Sequence, residues 1–386
     1  MRDVVALAFT TFGGATAHIT HFHRRLVVKR RYLSEQDLME LYSLCQIIPG
    51  PTTTQTLTAI GFRIGGPNLA YLTLLIWMLP AVTMMTTAAI VMSQIQQKSW
   101  SLEFTRFIQP MAVGIVGYGA YKISLKTVQT KTGIVIMVVA AVVSYFFQTP
   151  FVFPAVLLTA GLITAFKYKK QPKEEKQKLQ ISWANFLLWA GVLLLAAALG
   201  GVTKSLPIRL FENFYRNGSL IFGGANVLTP LLYTEFVQYA PKQYLSSQEF
   251  LSGWAVAQAF PGPVFSFSAY IGALSMREYG IGGEILGALM SAAGIFLPGT
   301  FLIFFVIRFW ENLKRYRAVR ASLEGITAAS AGLVAAAAVI MFQPLENSIM
   351  NFSVVIVTYC LLAFTRIPSP FIILGGLLLG IVLARV

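Results

Sequence analysis

The stretch from Asn68 to Gln97 contains no charged side chain, and neither do Thr132 to Phe166 or Ser369 to Ala384. At about 1.5 Å per helical residue, the longer of these runs exceed a hydrocarbon core roughly 30 Å thick. Only 12% of the chain is charged, about half of the ~25% usual for soluble domains. A soluble domain does not carry this many long uncharged runs. The sequence reads as an all-α polytopic membrane protein.

A second feature divides the chain. Pro49-Gly50-Pro51 recurs as Pro261-Gly262-Pro263 with an offset of 212 (261 − 49), and Tyr32-Leu33-Ser34 and Gln46 recur as Tyr244-Leu245-Ser246 and Gln258 with the same offset. Phe12-Gly13-Gly14-Ala15 returns as Phe222-Gly223-Gly224-Ala225, offset 210 (222 − 12). Four features at a nearly constant spacing mark an internal duplication. Ser34 with Asp37, and Ser246 with Glu249, predict capping boxes for the helices that run into each Pro-Gly-Pro. A short helix is expected over 52–62, then spans near 69–96, 106–122, 132–148 and 150–167. A lone helix near 183–202 follows, then spans near 281–307, 322–342, 350–365 and 369–385. The expected organisation is an N-terminal repeat, 1–166, a basic linker with one transmembrane helix, 167–203, and a C-terminal repeat, 204–386.

The net charge of +15 fits the loading of short cytoplasmic loops with Lys and Arg. Basic clusters fall at 24–31, at Lys122, Lys126 and Lys131, at 167–178 and from Arg308 to Arg320, while the loops at 148–150 and 343–350 hold no Lys or Arg. With the N-terminus cytoplasmic, four spans return the first repeat to the cytoplasm at Lys167. The single helix near 183–202 then carries the chain out, so the second repeat is expected to be inverted. Entry and exit of the short segments leave 9 or 13 crossings open. No soluble basic face is long enough for nucleic acid. Cys45 and Cys360 lie in apolar helices and suggest no disulfide or metal site. His18, His21 and His23 lack a Cys or carboxylate alongside, so no metal is expected.

Proline and glycine at 49–51 and 261–263 end one helix and begin another. Inside a membrane such a break is tolerated where the freed backbone lines a cavity or packs on protein, and broken helices at matching positions of two repeats mark transporter sites. A helix N-terminus carries free amides and partial positive charge, which suits an oxyanion. The candidate substrate contacts are Gly50, Thr52, Thr53, Thr54 and Gln55 in the first copy and Gly262, Val264, Ser266 and Ser268 in the second. Pro49, Pro51, Pro261 and Pro263 are the hinges. Gly13, Gly14, Gly223, Gly224 and Asn226 offer either a second contact or close helix packing, and Gln46 and Gln258 either reach the substrate or cap a helix end. For His18, Arg63 and Glu324 the functional reading is gating or charge attraction. The plainer alternatives are an interfacial Arg63 and an ion pair between Glu324 and Arg320.

Phe-Gly-Gly near the start, His18 after it, Pro-Gly-Pro-x-x-x-Gln at 49–55, Gln258-x-x-Pro-Gly-Pro-Val264 and Phe296-Leu-Pro298 resemble the chromate ion transporter family, in its long two-domain form. The resemblance covers nearly the whole chain. It departs at Ala15, where the family often has Pro, at Thr52, often Asn, and at His23, Arg24 and Arg25, often acidic. It implies a plasma-membrane transporter that exports chromate and confers chromate resistance, with sulfate or another oxyanion as the alternative cargo. The implied partners are the anion and membrane lipid, with a homodimer left open and no cofactor. A channel lacks a ring of like charges or a filter motif here. A membrane reductase lacks a dinucleotide fingerprint, Cys cluster or haem motif.

Overall fold

The computed structural model describes residues 1–12, 14–97, 105–127, 129–149, 151–166, 182–222, 224–310, 316–365 and 367–384. The described residues are largely helical and contain no strand. In the first half, α1 (Arg2–Thr10) and α2 (Gly14–Phe22) flank Phe-Gly-Gly, and α3 (Glu35–Ile47) and α4 (Thr52–Gln97) flank Pro-Gly-Pro. Helices α5 (Ile108–Thr127), α6 (Lys131–Phe146) and α7 (Val152–Ala165) complete it, and α8 (Ala184–Thr203) is the connecting helix. The second half repeats the plan with α9 (Leu206–Leu220), α10 (Ala225–Tyr233), α11 (Ser247–Ala259), α12 (Phe267–Ser275), α13 (Gly280–Val306), α14 (Arg317–Phe342), α15 (Ile349–Phe364) and α16 (Ser369–Ala384). The expected spans agree to within a few residues. The Lys167 to Gln180 stretch lies outside the described residues.

Local chemistry repeats along with the elements. Both capping boxes form: Asp37 N–H donates to Ser34 Oγ (3.0 Å) and Ser34 N–H to Asp37 Oδ2 (3.1 Å). In the second half, Glu249 N–H donates to Ser246 Oγ (3.2 Å) and Ser246 N–H to Glu249 Oε2 (2.6 Å). The short helix expected over 52–62 is the first part of α4, bent from the following span at Gly65 and Gly66. Gly66 sits at φ +72° and its counterpart Gly280, 214 residues on (280 − 66), at +68°, a region that glycine enters without a Cβ penalty. A π-helical segment follows the first helix pair in each half, His23–Lys29 and Thr234–Gln238. Nothing in the sequence pattern announces either of them.

Ion pairs decide how the short helices run. Buried Asp3, at the start of α1, accepts from Arg25 Nε (2.9 Å), Arg30 Nε (3.0 Å) and Tyr32 Oη (3.0 Å), all beyond α2. Asp37, at the start of α3, pairs with Arg63 beyond the first part of α4 (2.6 Å). Each pair of short helices therefore doubles back, as a hairpin with its break at the tip. The second half does the same. Buried Glu235 accepts from Arg216 Nη2, Lys242 Nζ and Asn217 Nδ2, each at 2.6 Å, and Glu249 pairs with Arg277.

The long helix α13 links the hairpin bases. Its N-terminus follows Arg277, beside Glu249 of the second half. Near its other end Phe304 meets Phe62 and Tyr71, on either side of the first-half bend, with ring centroids 4.9 and 5.3 Å away. The two sets of bases are thus about 36 Å apart along α13, taking ~1.5 Å per residue. The spans interleave as well, since α14 packs on α5, α6 and α7. Gly325 and Gly332 allow this approach, because a Cβ on either would collide with the backbone at Ala160 or Met137.

Candidate functional site

The four breaks meet at the hairpin tips, and they meet crosswise. Gly50 N–H donates to Ile221 O (2.8 Å), and Gly262 N–H donates to Thr11 O (2.9 Å). Ile221 and Thr11 are the residues just before each Phe-Gly-Gly. Each Pro-Gly-Pro is thereby bonded to the Phe-Gly-Gly of the other half. A second reciprocal contact runs alongside. A Cβ on Gly50 would lie 3.3 Å from Gly299 Cα and 2.9 Å from Gln55 Nε2, and one on Gly262 would lie 2.9 Å from Ala81 Cβ. Gly299 follows Pro298 and Ala81 follows Pro80, the prolines inside α13 and α4. Gly50 and Gly262 also hold φ +121° and +97°, so conformation and space both call for glycine at these positions.

In the first half, α4 opens with its earliest backbone bond from Gln55 N–H to Pro51 O (2.9 Å). The amides of Thr52, Thr53 and Thr54 are left without an intrahelical acceptor. Every residue from Gly50 to Gly61 is buried. Trp77 Nε1 donates to Thr54 Oγ1 (3.1 Å), and Thr53 Oγ1 lies 3.3 Å from His18 Nδ1. Gln55 turns its Nε2 to Pro49 O (2.7 Å) and Gly299 O (3.3 Å) and leaves Oε1 unpartnered. Its amide nitrogen thus caps the break and ties it to α13. In the second half a 3₁₀ turn, Val264–Ser266, precedes α12, with Ser266 N–H bonded to Pro263 O (3.0 Å). The amides of Val264 and Phe265 are the free ones there. Ser268 Oγ is buried without a partner.

The remaining candidates spread out. Gly14 begins α2 and Gly224, at φ +80°, caps α10. Gly13, Gly223 and the side chain of Asn226 lie outside the described residues. Gln46 is exposed and Gln258 half-buried, each before its break. Arg63 sits at the hairpin base on Asp37, roughly 18 Å from Pro49 along α3 at ~1.5 Å per residue. Glu324 accepts from Thr130 Oγ1 (2.6 Å), the N-cap of α6, and the Arg320 side chain lies outside the described residues. His18 is buried among Trp77, Phe22 and Thr53. Among the described residues no three His, Cys, Asp or Glu side chains group as a metal site.

Sequence reasoning passed over Thr11, Ile221, Ala81, Gly299 and Trp77. The first four were findable. Thr11 and Ile221 immediately precede the repeated Phe-Gly-Gly, and Ala81 and Gly299 follow the lone prolines within two long spans. Trp77 carries no such signal.

The sequence profile described as "Chromate transporter" matches residues 1–165 and 208–381, both halves of this architecture. The "Chromate transport protein" of Cupriavidus metallidurans is 26% identical over 382 residues, covering 96% of this chain and 89% of that protein. The "Probable chromate transport protein" of Synechococcus elongatus is 25% identical, covering 96% and 91%. The "Chromate transport protein" of Pseudomonas aeruginosa is 24% identical, covering 89% and 80%. No solved structure matches. With a profile that spans both sets of broken helices, this multi-pass membrane protein belongs to the chromate transporter family.

Proposed function

We propose that the chain is a secondary transporter that exports chromate across the plasma membrane by alternating access and so confers chromate resistance. The observation that carries this reading is the crosswise pairing of the breaks, Gly50 with Ile221 and Gly262 with Thr11. It gathers the free amides of the helix starts at the junction of the two halves, where a tetrahedral dianion can be held by backbone dipoles without a fixed cation. An anion held this way can also leave.

The halves are inverted with respect to the membrane in this reading, and the N-terminus is cytoplasmic. Supporting this, the hairpin bases lie at opposite ends of α13, and the basic loop at Arg24 to Arg31 lies on the first-half base. Rocking of one half against the other about the tips opens the junction to each face in turn. Moving one charge through 100 mV is worth ~2.3 kcal/mol, so expelling a dianion from a negative interior gains roughly 4.6 kcal/mol. Export therefore needs no obligatory proton. Sulfate has the same shape and charge as chromate, and a site of amides and hydroxyls such as Thr52 holds both.

The test is uptake of labelled chromate into inverted membrane vesicles, with and without an imposed potential. Potential-dependent uptake, abolished in Thr52→Ala/Thr54→Ala, is the expected result. Uptake indifferent to potential would overturn the energetics. Sulfate accumulating in place of chromate would reassign the cargo.

A further inference from the structure

We infer that His18 is a direct ligand of the transported oxyanion, donating a hydrogen bond from its Nε2. This rests on the transport reading above and adds to it a specific side chain, atom and tautomer.

His18 is 2% exposed. Trp77 packs edge-on to its ring, centroids 5.5 Å apart, and Phe22 packs at 6.4 Å. Its Nδ1 lies 3.3 Å from Thr53 Oγ1, while its Nε2 is buried with no partner among the described residues. A neutral imidazole has one donor and one acceptor nitrogen. The inferred ligand is the tautomer with its proton on Nε2, in which Thr53 donates to Nδ1 and the Nε2–H, stripped of water, has nothing to receive it among the described residues. A buried donor left unmade carries a desolvation cost. Its location indicates the missing acceptor. Thr53 belongs to the first turn of α4, where the amides of Thr52, Thr53 and Thr54 also lack intrahelical acceptors. The His18 ring, held to that turn through Nδ1 and Thr53, and the three backbone N–H groups thus sit at one helix start, donors that an oxygen-rich anion there can satisfy together.

The duplication argues against a packing role. The counterpart of His18 is Leu228 (228 − 18 = 210), fully buried in the same place on α10. The repeated scaffold therefore closes around an aliphatic side chain there and does not need an imidazole. Trp77, which packs on His18, is itself held by its bond to Thr54 Oγ1, so the ring is fixed in position.

Three variants of the full-length protein test the assignment. His18→Leu reproduces the second-half residue. His18→Gln places an amide nitrogen near the position of Nε2, whereas the shorter His18→Asn does not reach it. The readouts are KM and maximal rate for chromate in inverted vesicles, and the thermal midpoint of the purified protein with and without sulfate. The expected result is a KM raised about tenfold or more in His18→Leu and His18→Asn, as for loss of a hydrogen bond to a charged group. His18→Gln should recover most of it, with the anion-free midpoint unchanged in all three. A wild-type KM in His18→Leu overturns the inference and leaves the transport reading intact. So does an anion-free midpoint that falls in His18→Leu and is not restored by His18→Gln, which makes the residue structural. If the wild type transports neither chromate nor sulfate, the transport reading fails, and the sulfate-induced midpoint shift then decides for His18 alone. A shift present in the wild type and lost in His18→Leu upholds the ligand, and no shift in either overturns it.

Discussion

The two halves share a backbone and differ in their side chains, and the difference separates what builds the scaffold from what acts on a substrate. Glycines at positive φ, capping boxes, π-helical segments and the crosswise N–H to C=O bonds recur in both. The polar lining does not. Where the first half carries Thr52, Thr53 and Thr54, the second carries Val264, Phe265 and Ser266, and where it carries Thr11 and His18, the second carries Ile221 and Leu228. Duplication conserved the way the chain breaks and left one break polar and the other largely apolar. A strictly symmetric grip on the anion does not fit that pattern.

The hairpin bases offer the largest effect with which to probe the comparison. Asp3, Arg25, Arg30 and Tyr32 correspond to Asn213, Glu235, Lys242 and Tyr244 at offsets of 210 to 212, and Asn213, Glu235 and Lys242 again form a clasp, with the acid moved and Arg216 added. In the second half the Glu235 carboxylate is fully buried under Arg216 and Lys242. Glu235→Gln leaves Lys242 without a carboxylate and Arg216 with only Glu212, and is expected to cost about 3–5 kcal/mol, read as a fall in thermal midpoint in detergent. Asp3→Asn should cost less, about 1.5–3 kcal/mol, because Arg25 and Arg30 keep 29% and 45% of their side-chain exposure and remain hydrated. If the clasps are equivalent, Asn213→Asp combined with Glu235→Arg rebuilds the first-half arrangement in the second and returns most of the lost midpoint. A double variant no better than Glu235→Gln would mean that the two clasps are only superficially alike.

The glycines of the two Pro-Gly-Pro segments come next. Gly50→Ala forces a Cβ against Gly299 Cα and Gln55, and Gly262→Ala forces one against Ala81 Cβ. Each also strains a positive φ, at about 1–3 kcal/mol. Both should lower transport along with stability, Gly262→Ala more, since Ala81 Cβ at 2.9 Å is fixed to its backbone, whereas the atom nearest Gly50 ends the flexible Gln55 side chain and Gly299 Cα lies farther off at 3.3 Å. Equal losses would indicate that φ alone decides and that the contact with the opposite long helix is incidental.

How much of this was legible in the sequence follows from the physics of each feature. Spans, breaks and capping boxes announce themselves, because hydropathy, proline and the Ser-x-x-Asp/Glu spacing act within a few residues. The clasps were not visible. Asp3 and Arg25 are 22 residues apart, and only the fold reveals that the basic loop has an acid beneath it. In the structure Arg25 and Arg30 of that loop hold the Asp3 carboxylate of helix α1. At the site, Gln55 was read as a donor for the anion, yet its amide nitrogen already serves Pro49 O and Gly299 O, one of them 244 residues away. Sequence lists the donors, and only tertiary contacts reveal which of them are already engaged.

The smallest effect isolates that last point. Thr54 and Ser266 are counterparts (266 − 54 = 212), both buried and both hydroxylated. Thr54 Oγ1 receives the indole N–H of Trp77, which is 0% exposed and has no other acceptor among the described residues. Thr54→Val keeps the shape, removes that acceptor and strands a buried donor, for an expected loss of about 1–2 kcal/mol. Ser266→Ala removes a hydroxyl that supports no such side chain, so its midpoint should stay within about 0.5 kcal/mol of the wild type, as for substitutions clear of a buried network. Matching losses from the two would make the hydroxyls interchangeable parts of one scaffold. A loss at Thr54 alone would place Trp77, and through it the packing of His18, among the features that the first half holds without a counterpart.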